Sequence, residues 1–286
     1  MKTPENGNPV DARVVIIGLA RDCAHSLPQL FDWFSDLGND VTDWGYVFLE
    51  NGSTDDTLTL LQEFDGICQR GVVRTFENLD AEISLRTERL SYLRNMALEL
   101  VRNHERLGGF DYAIIMDLDN INEIFPKSKI LSHLRNWPDG QAAVFANQTE
   151  LYYDAWAYRH PEFSPEDCWE LVRKKSTEMS RRAAKYSVLD KIRVPWPADA
   201  GMIEVDSAFG GLGIYKLSYI EGCEYLGIND KGEEICEHVE FHRQIREKGY
   251  KLFIDTAMIN GSGRARHGAS VFSRIRRELS KLLGAA

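Results

Sequence analysis

The sequence predicts a single α/β domain: a parallel sheet flanked by helices. Three observations carry this. Apolar, β-branched stretches alternate with amphipathic ones through the first hundred or so residues, the pattern of repeated β-α units. A chain of 286 residues can bury one large core. Its hydrophobic (43%) and charged (27%) fractions are those of an ordinary globular protein, which sets aside fibrous and disordered classes.

Element by element, residues 1–12 are polar with Pro and Gly and are expected to form a flexible leader. Arg13–Leu19 reads as a buried strand because β-branched residues dominate it. Residues 26–37 read as a helix, with Leu27, Leu30, Phe31 and Phe34 at helical spacing. A second strand is expected at Tyr46–Leu49 and a helix at Thr54–Phe64, with Leu58, Leu61 and Phe64 along one side. Val72–Phe76 is a third strand, Arg86–Asn103 a long helix and Tyr112–Met116 a fourth strand. The second half is less regular: a helix at 166–183, a Pro-rich loop at 195–197, strands near 211–216 and 250–254, and a helix at 236–248. The domain is therefore expected to span 13–262, followed by a basic loop and amphipathic helix at 263–286.

Charge and cysteine content narrow the function. The formal charge of -10 argues against a generic nucleic-acid binder. The longest apolar run, Val14 to Ala20, is far too short to cross a membrane. Pro4, Glu5 and Asn6 stand where a secretion signal would need apolar residues, and the five cysteines form no CxxC pair. A cytoplasmic protein is expected. Residues 264–286 hold six basic side chains against the single acid Glu278, so the tail is basic and the body strongly acidic. Val271, Phe272, Ile275, Leu279 and Leu282 recur there at helical spacing. Such a helix could dock peripherally on an anionic membrane or pack its stripe on the protein body.

In a parallel sheet, ligands bind beyond the carboxyl ends of the strands. The fourth strand ends in Asp117-Leu118-Asp119, two hard oxygen ligands suited to Mg2+ or Mn2+ bridging a diphosphate, or else a solvated turn. The second strand ends in Glu50-Asn51-Gly52-Ser53. Ser53 or Thr54 can cap the next helix, while Glu50 could accept hydrogen bonds from a nucleoside. At 100° per residue, Arg86 falls on the apolar stripe of its helix and Arg89 about 60° to one side, so both are expected to point inward. They suit a diphosphate, or an internal ion pair with an acid such as Asp80. Asp206 to Gly213 is a Gly-rich approach to a strand. His238 and His242, four residues apart beside Phe241, are expected to be a buried, hydrogen-bonded pair rather than a zinc site.

The order of these pieces resembles GT-A nucleotide-sugar glycosyltransferases. Residues 14–57, with Ile17-Gly18-Leu19-Ala20-Arg21-Asp22 and Glu50-Asn51-Gly52-Ser53-Thr54-Asp55-Asp56-Thr57, are similar to the opening of family 2. Arg86 to Asn95 is similar to that family's Arg-rich helix, Asp117-Leu118-Asp119 to its metal-binding DxD, and residues 236–254 to its Glu-Asp helix. Residues 152–159, 207–216 and 236–242 further resemble cryptococcal capsule mannosyltransferase-like proteins.

The resemblance implies a GT-A fold, an α/β single domain with a Rossmann-like mixed, mainly parallel sheet flanked by helices, and a metal-dependent transferase. It would move sugar from a UDP- or GDP-sugar donor to a glycan or lipid-linked acceptor, as in surface polysaccharide synthesis. It places Leu19, Arg21, Glu50, Asn51, Ser53, Arg86, Arg89, Asn95, Asp117 and Leu118 on the donor. It places Trp156, Asp206, Phe209, Gly210 and Gly211 at the sugar and acceptor. Asp117, Asp119 and His267 would bind Mn2+ or Mg2+, with Arg264 and Arg266 closing on the diphosphate. Glu237 would be the base, with His238 standing where family 2 has Asp. A sugar nucleotidyltransferase is the first rival, but residues 18–26 hold a single Gly where it would need a phosphate loop. A non-catalytic glycan-binding protein is the second.

Overall fold

A computed structural model describes residues 9–264. The basic tail from residue 265, including Arg266, His267 and the expected amphipathic helix, lies outside the described residues. Among those described, the elements run β1 (Val10–Ala20), α1 (Leu27–Gly38), β2 (Val41–Glu50), α2 (Thr57–Cys68), β3 (Gly71–Thr75), a short α3 (Leu79–Glu82), α4 (Arg86–Asn103) and β4 (Tyr112–Asp117). They continue with α5 (Lys127–Arg135), β5 (Gln141–Asn147), α6 (Cys168–Lys175), α7 (Arg181–Ile192), β6 (Met202–Val205), β7 (Leu212–Lys216), α8 (Glu237–Glu247) and β8 (Lys251–Ile259).

The strands form one eight-stranded sheet in the order β3-β2-β1-β4-β7-β5-β8-β6. β3, β2, β1 and β4 are parallel, β7 runs antiparallel between β4 and β5, β8 pairs parallel with β5, and β6 closes the edge antiparallel. This is the mixed, mainly parallel sheet expected. Register sets the functional edge: Ala20 lies opposite Glu50 and Leu19 opposite Asp117, so three strands end at one level.

Helices cover both faces because the central strands are apolar on both. β5 is buried along its whole length, as is β1 over Val14–Gly18. On one face α1, α2 and α5 pack through Leu27, Leu30, Phe34, Leu61 and Ile130. On the other, α4, α6, α7 and α8 pack through Leu93, Ala97, Val172, Leu189, Phe241 and Ile245. Each of these side chains larger than alanine contributes about 1.5–3 kcal/mol by leaving water.

The expected helix at 166–183 is two helices. Ser176 Oγ and Thr177 Oγ1 donate to the carbonyls of Val172 and Lys174, ending α6. Ser180 Oγ then accepts from Ala183 N and caps α7. α5, β5 and β6 have no counterpart in the sequence expectation. β5, Gln-Ala-Ala-Val-Phe-Ala-Asn, carries one β-branched residue, and its environment rather than its composition makes it a strand. No described helix is long and apolar enough to cross a membrane.

Candidate active site

A cavity of about 560 Å³ opens beyond the ends of β1 and β4. Its lining brings together twelve residues singled out in the sequence: Leu19, Arg21, Asn51, Arg86, Arg89, Asp117, Leu118, Asp119, Trp156, Phe209, Glu237 and His238. They arrive from the end of β1, the loops after β1 and β2, the start of α4, the end of β4 and the turn after it, the loop after β5, the turn before β7 and the start of α8.

The Asp-Leu-Asp turn is held from behind. Asp117 N donates to Gly211 O at 2.9 Å, and Asn122 Nδ2 donates to the carbonyls of Asp117 (2.8 Å) and Gly211 (3.0 Å). Asn260, fully buried, donates from Nδ2 to Asn122 Oδ1 (2.7 Å) and Gly210 O (2.8 Å) and accepts from Gln148 Nε2 (2.8 Å). Gly210 and Gly211 have φ of 65° and 83°, and a Cβ on Gly211 would sit 2.8 Å from Ile121 Cγ2. This pair braces the turn and does not line the cavity.

Burial, then the charge of Asp119, pushes the Asp117 carboxyl well above the usual carboxylate range, against the pull of Arg94. Two hard carboxylates that penalise each other's charge fit a divalent cation. Among the described residues no group of three His, Cys, Asp or Glu could enclose one. The third ligand expected, His267, lies outside them.

At the cavity's inner wall Arg94 Nε donates to Glu237 Oε1 at 3.1 Å, with both side chains buried. The Arg94 guanidinium lies 5.2 Å from the Phe209 ring centre and 5.6 Å from that of Tyr225, both cation-π distances. His238 stacks on Phe209 at 4.1 Å, its Nε2 lies 3.9 Å from Glu237 Oε1, and neither ring nitrogen has a hydrogen-bond partner among the described residues. Burial, then Arg94 and His242, pulls its pKa well below that of a free histidine, so the ring is neutral. His242 is satisfied on both sides, by Ser207 Oγ at 2.8 Å and Tyr215 OH at 2.9 Å. Only half of the expected hydrogen-bonded histidine pair is therefore present.

Several expected residues sit elsewhere or differently. Arg86 is exposed at the cavity mouth rather than turned inward; the residue buried in that first turn of α4 is Thr87, which donates to Glu234. Arg89 Nη1 donates to the carbonyls of Ile83 and Ser84, and Arg21 pairs with Asp80 at 3.4 Å. Glu50 is buried behind the cavity, accepting from Ser53 N and Thr75 Oγ1, both at 2.5 Å. Ser53 Oγ accepts from Asp22 N, tying the loops after β1 and β2 together, and it does not cap α2. Asn95 bonds the backbone of Tyr225, and Asp206 pairs with Arg246 at 2.8 Å.

Among the cavity residues that the sequence reading did not single out are Arg94, Asp154, Trp169 and Arg193. Arg94 and Asp154 lie inside stretches already noted, Arg86 to Asn95 and residues 152–159. Burial pushes the Asp154 carboxyl up to about 6, and its Oδ1 accepts from Ala157 N at 3.2 Å.

No family model and no curated protein sequence matches the chain. Among solved structures it is similar to the mannosyltransferase PcManGT from Pyrobaculum calidifontis in complex with GDP-Man and Mn2+. Identity is 14%, 96% of this chain is covered, and the TM-score is 0.50. The chain spans 64% of that protein's length. It is also similar to glucosyl-3-phosphoglycerate synthase from Mycobacterium tuberculosis in complex with UDP, at 11% identity, covering 87% of this chain and 69% of that one, with a TM-score of 0.39. At such identity the first likeness speaks to fold: the chain has the mixed, mainly parallel α/β architecture of GT-A glycosyltransferase structures.

Proposed function

We propose that the chain is a metal-dependent glycosyltransferase moving a sugar from a UDP- or GDP-sugar to a glycan or glycolipid acceptor, as in surface polysaccharide synthesis. One observation carries this reading. A pair of mutually repelling carboxylates, Asp117 and Asp119, shares an open cavity with Arg21, Arg86 and Arg89, at the sheet edge where β1, β2 and β4 end. The mannosyltransferase with GDP-Man and Mn2+ supports it through fold.

On this reading Asp117 and Asp119 hold Mn2+ or Mg2+, which when bound supplies positive charge beside a departing diphosphate. Arg86 and Arg89 meet the phosphates, and Leu19, Arg21 and Asn51 border the nucleoside. Glu50 and Ser53 act indirectly, by fixing the loop that carries Asn51. Glu237 faces the acceptor and takes the proton from its hydroxyl, oriented by Arg94. His238, neutral and pressed on Phe209, shapes the wall beside it. Incubation with UDP- and GDP-sugars in Mn2+ should release the nucleoside diphosphate. No release from any of them, with or without glycan acceptors, would contradict the proposal.

A further inference from the structure

One wall of the cavity is organised by a single carboxylate. Asp167 Oδ2 accepts from Trp156 Nε1 at 2.7 Å and Arg159 Nη2 at 2.8 Å. Its Oδ1 accepts from the backbone N–H groups of Trp169 (2.9 Å) and Glu170 (3.0 Å), capping α6. The same side chain therefore fixes one indole directly and a second through the helix that carries it, and both line the cavity.

Arg193, the residue after α7, lines the cavity with them. Its Nε is shielded from water and has no hydrogen-bond partner among the described residues, and no ion pair with a described carboxylate engages its guanidinium. Asp167, the acid behind this wall, is already committed to four donors, and Asp154, the acid that lines the cavity beside Trp156, forms no ion pair with Arg193. A shielded guanidinium N–H with no acceptor is costly, so a partner supplied from the cavity would be held strongly. Indole faces receive the apolar faces of a pyranose ring, and a guanidinium fork matches a carboxylate or phosphate.

We infer that this wall is an acceptor subsite for an anionic sugar, with Arg193 pairing to a carboxylate or phosphate on the ring that Trp156 and Trp169 flank. The inference rests on reading the cavity as a sugar-transfer site. It adds a substrate class: the acceptor is a charged glycan and not a neutral one. Arg193 shares the cavity with Asp117, Asp119 and the α4 arginines but is not one of the donor-side residues, so a substitution there leaves that set intact and the two recognitions can be tested separately.

Calorimetric titration of the full chain with methyl glucuronide, glucose 6-phosphate and neutral methyl glucoside is the test, with a nucleoside diphosphate plus Mn2+ titrated in parallel. At least one anionic probe should bind about tenfold more tightly than the neutral one, the scale of a charge-assisted pair. The two anionic probes tell carboxylate from phosphate. Arg193→Met should erase the preference, and Arg193→Lys should keep part of it while showing that the site tolerates substitution. Equal affinity for all three sugars, a preference that survives in Arg193→Met, or no anionic binding up to about 10 mM would each overturn the inference. Failure of the nucleotide arm alone would count against the transferase reading and leave the anion preference standing.

Discussion

Replacing Arg94 by Met should be among the most damaging single changes away from the strands. The guanidinium is buried, its Nε is 3.1 Å from Glu237 Oε1, and it lies within 6 Å of the Phe209 and Tyr225 ring centres. Methionine fills similar volume but strands the Glu237 carboxylate, itself only 5% exposed, without a cation. Breaking a buried ion pair from one side costs about 3–5 kcal/mol, much of it the penalty of the abandoned charge. For a domain of this size that is roughly 2–4 °C of melting temperature per kcal/mol. The double variant Arg94→Met with Glu237→Gln removes the charge as well and should recover a large part of the loss. Urea unfolding of wild type, both single variants and the double variant measures the cycle. If Arg94→Met stays within about 1 kcal/mol of wild type, or the double loss equals the sum of the singles, the buried pair does not hold this wall together.

Three further outcomes follow from the same geometry. Glu237→Gln should lower transfer by well over about tenfold, a low bound for removing a positioned base, while nucleotide binding survives; transfer near the wild-type rate would remove Glu237 from that role. His242 is pushed down to about 3 by burial, then by Arg246 and Arg94, so it is neutral in the fold and protonates near 6.5 when unfolded. It therefore contributes stability that is present above pH 6.5 and lost as pH falls toward 3, and His242→Gln should lose less stability than wild type between pH 6.5 and 4; an unchanged pH slope would contradict this. A Cβ on Gly227 would meet Thr87 O at 2.1 Å, so Gly227→Ala should cost about 1–3 kcal/mol and weaken donor binding by displacing the start of α4, whereas wild-type stability would show that this contact is loose.

The first four strands were legible because apolar and β-branched residues dominate them, and the first three are each followed by a helix-period pattern. β5 was not, with one β-branched residue in seven, and neither was β6, which is only four residues long; both are held as strands by pairing with β8. The reversal of β7 between β4 and β5 has no local signature at all. At the site, the acids of the Asp-Leu-Asp turn were readable because a parallel strand must deliver its last residues to the ligand edge. Glu50 was equally readable as an acid at a strand end, but nothing in the sequence says that Ser53 N and Thr75 Oγ1 turn it away from the cavity. Helical periodicity picked Arg86 and Arg89 as the inward arginines, whereas the buried one is Arg94, whose partner stands 143 residues away on α8. Long-range polar partners, such as Asn122 with Asn260, are invisible to any window along the chain.

The central claim is that Asp117 and Asp119 form a divalent-cation site for a nucleoside diphosphate. Calorimetric titration of UDP and GDP into the full chain, with Mn2+ and then with a chelator, tests it most directly when repeated on Asp119→Asn. At least one nucleotide should bind in Mn2+ and lose most of its affinity in chelator. Asp119→Asn should bind weakly under both conditions while its circular dichroism and unfolding midpoint show an intact fold. Equal affinity with and without the metal, or an Asp119→Asn variant that binds in Mn2+ as the wild type does, would contradict the account.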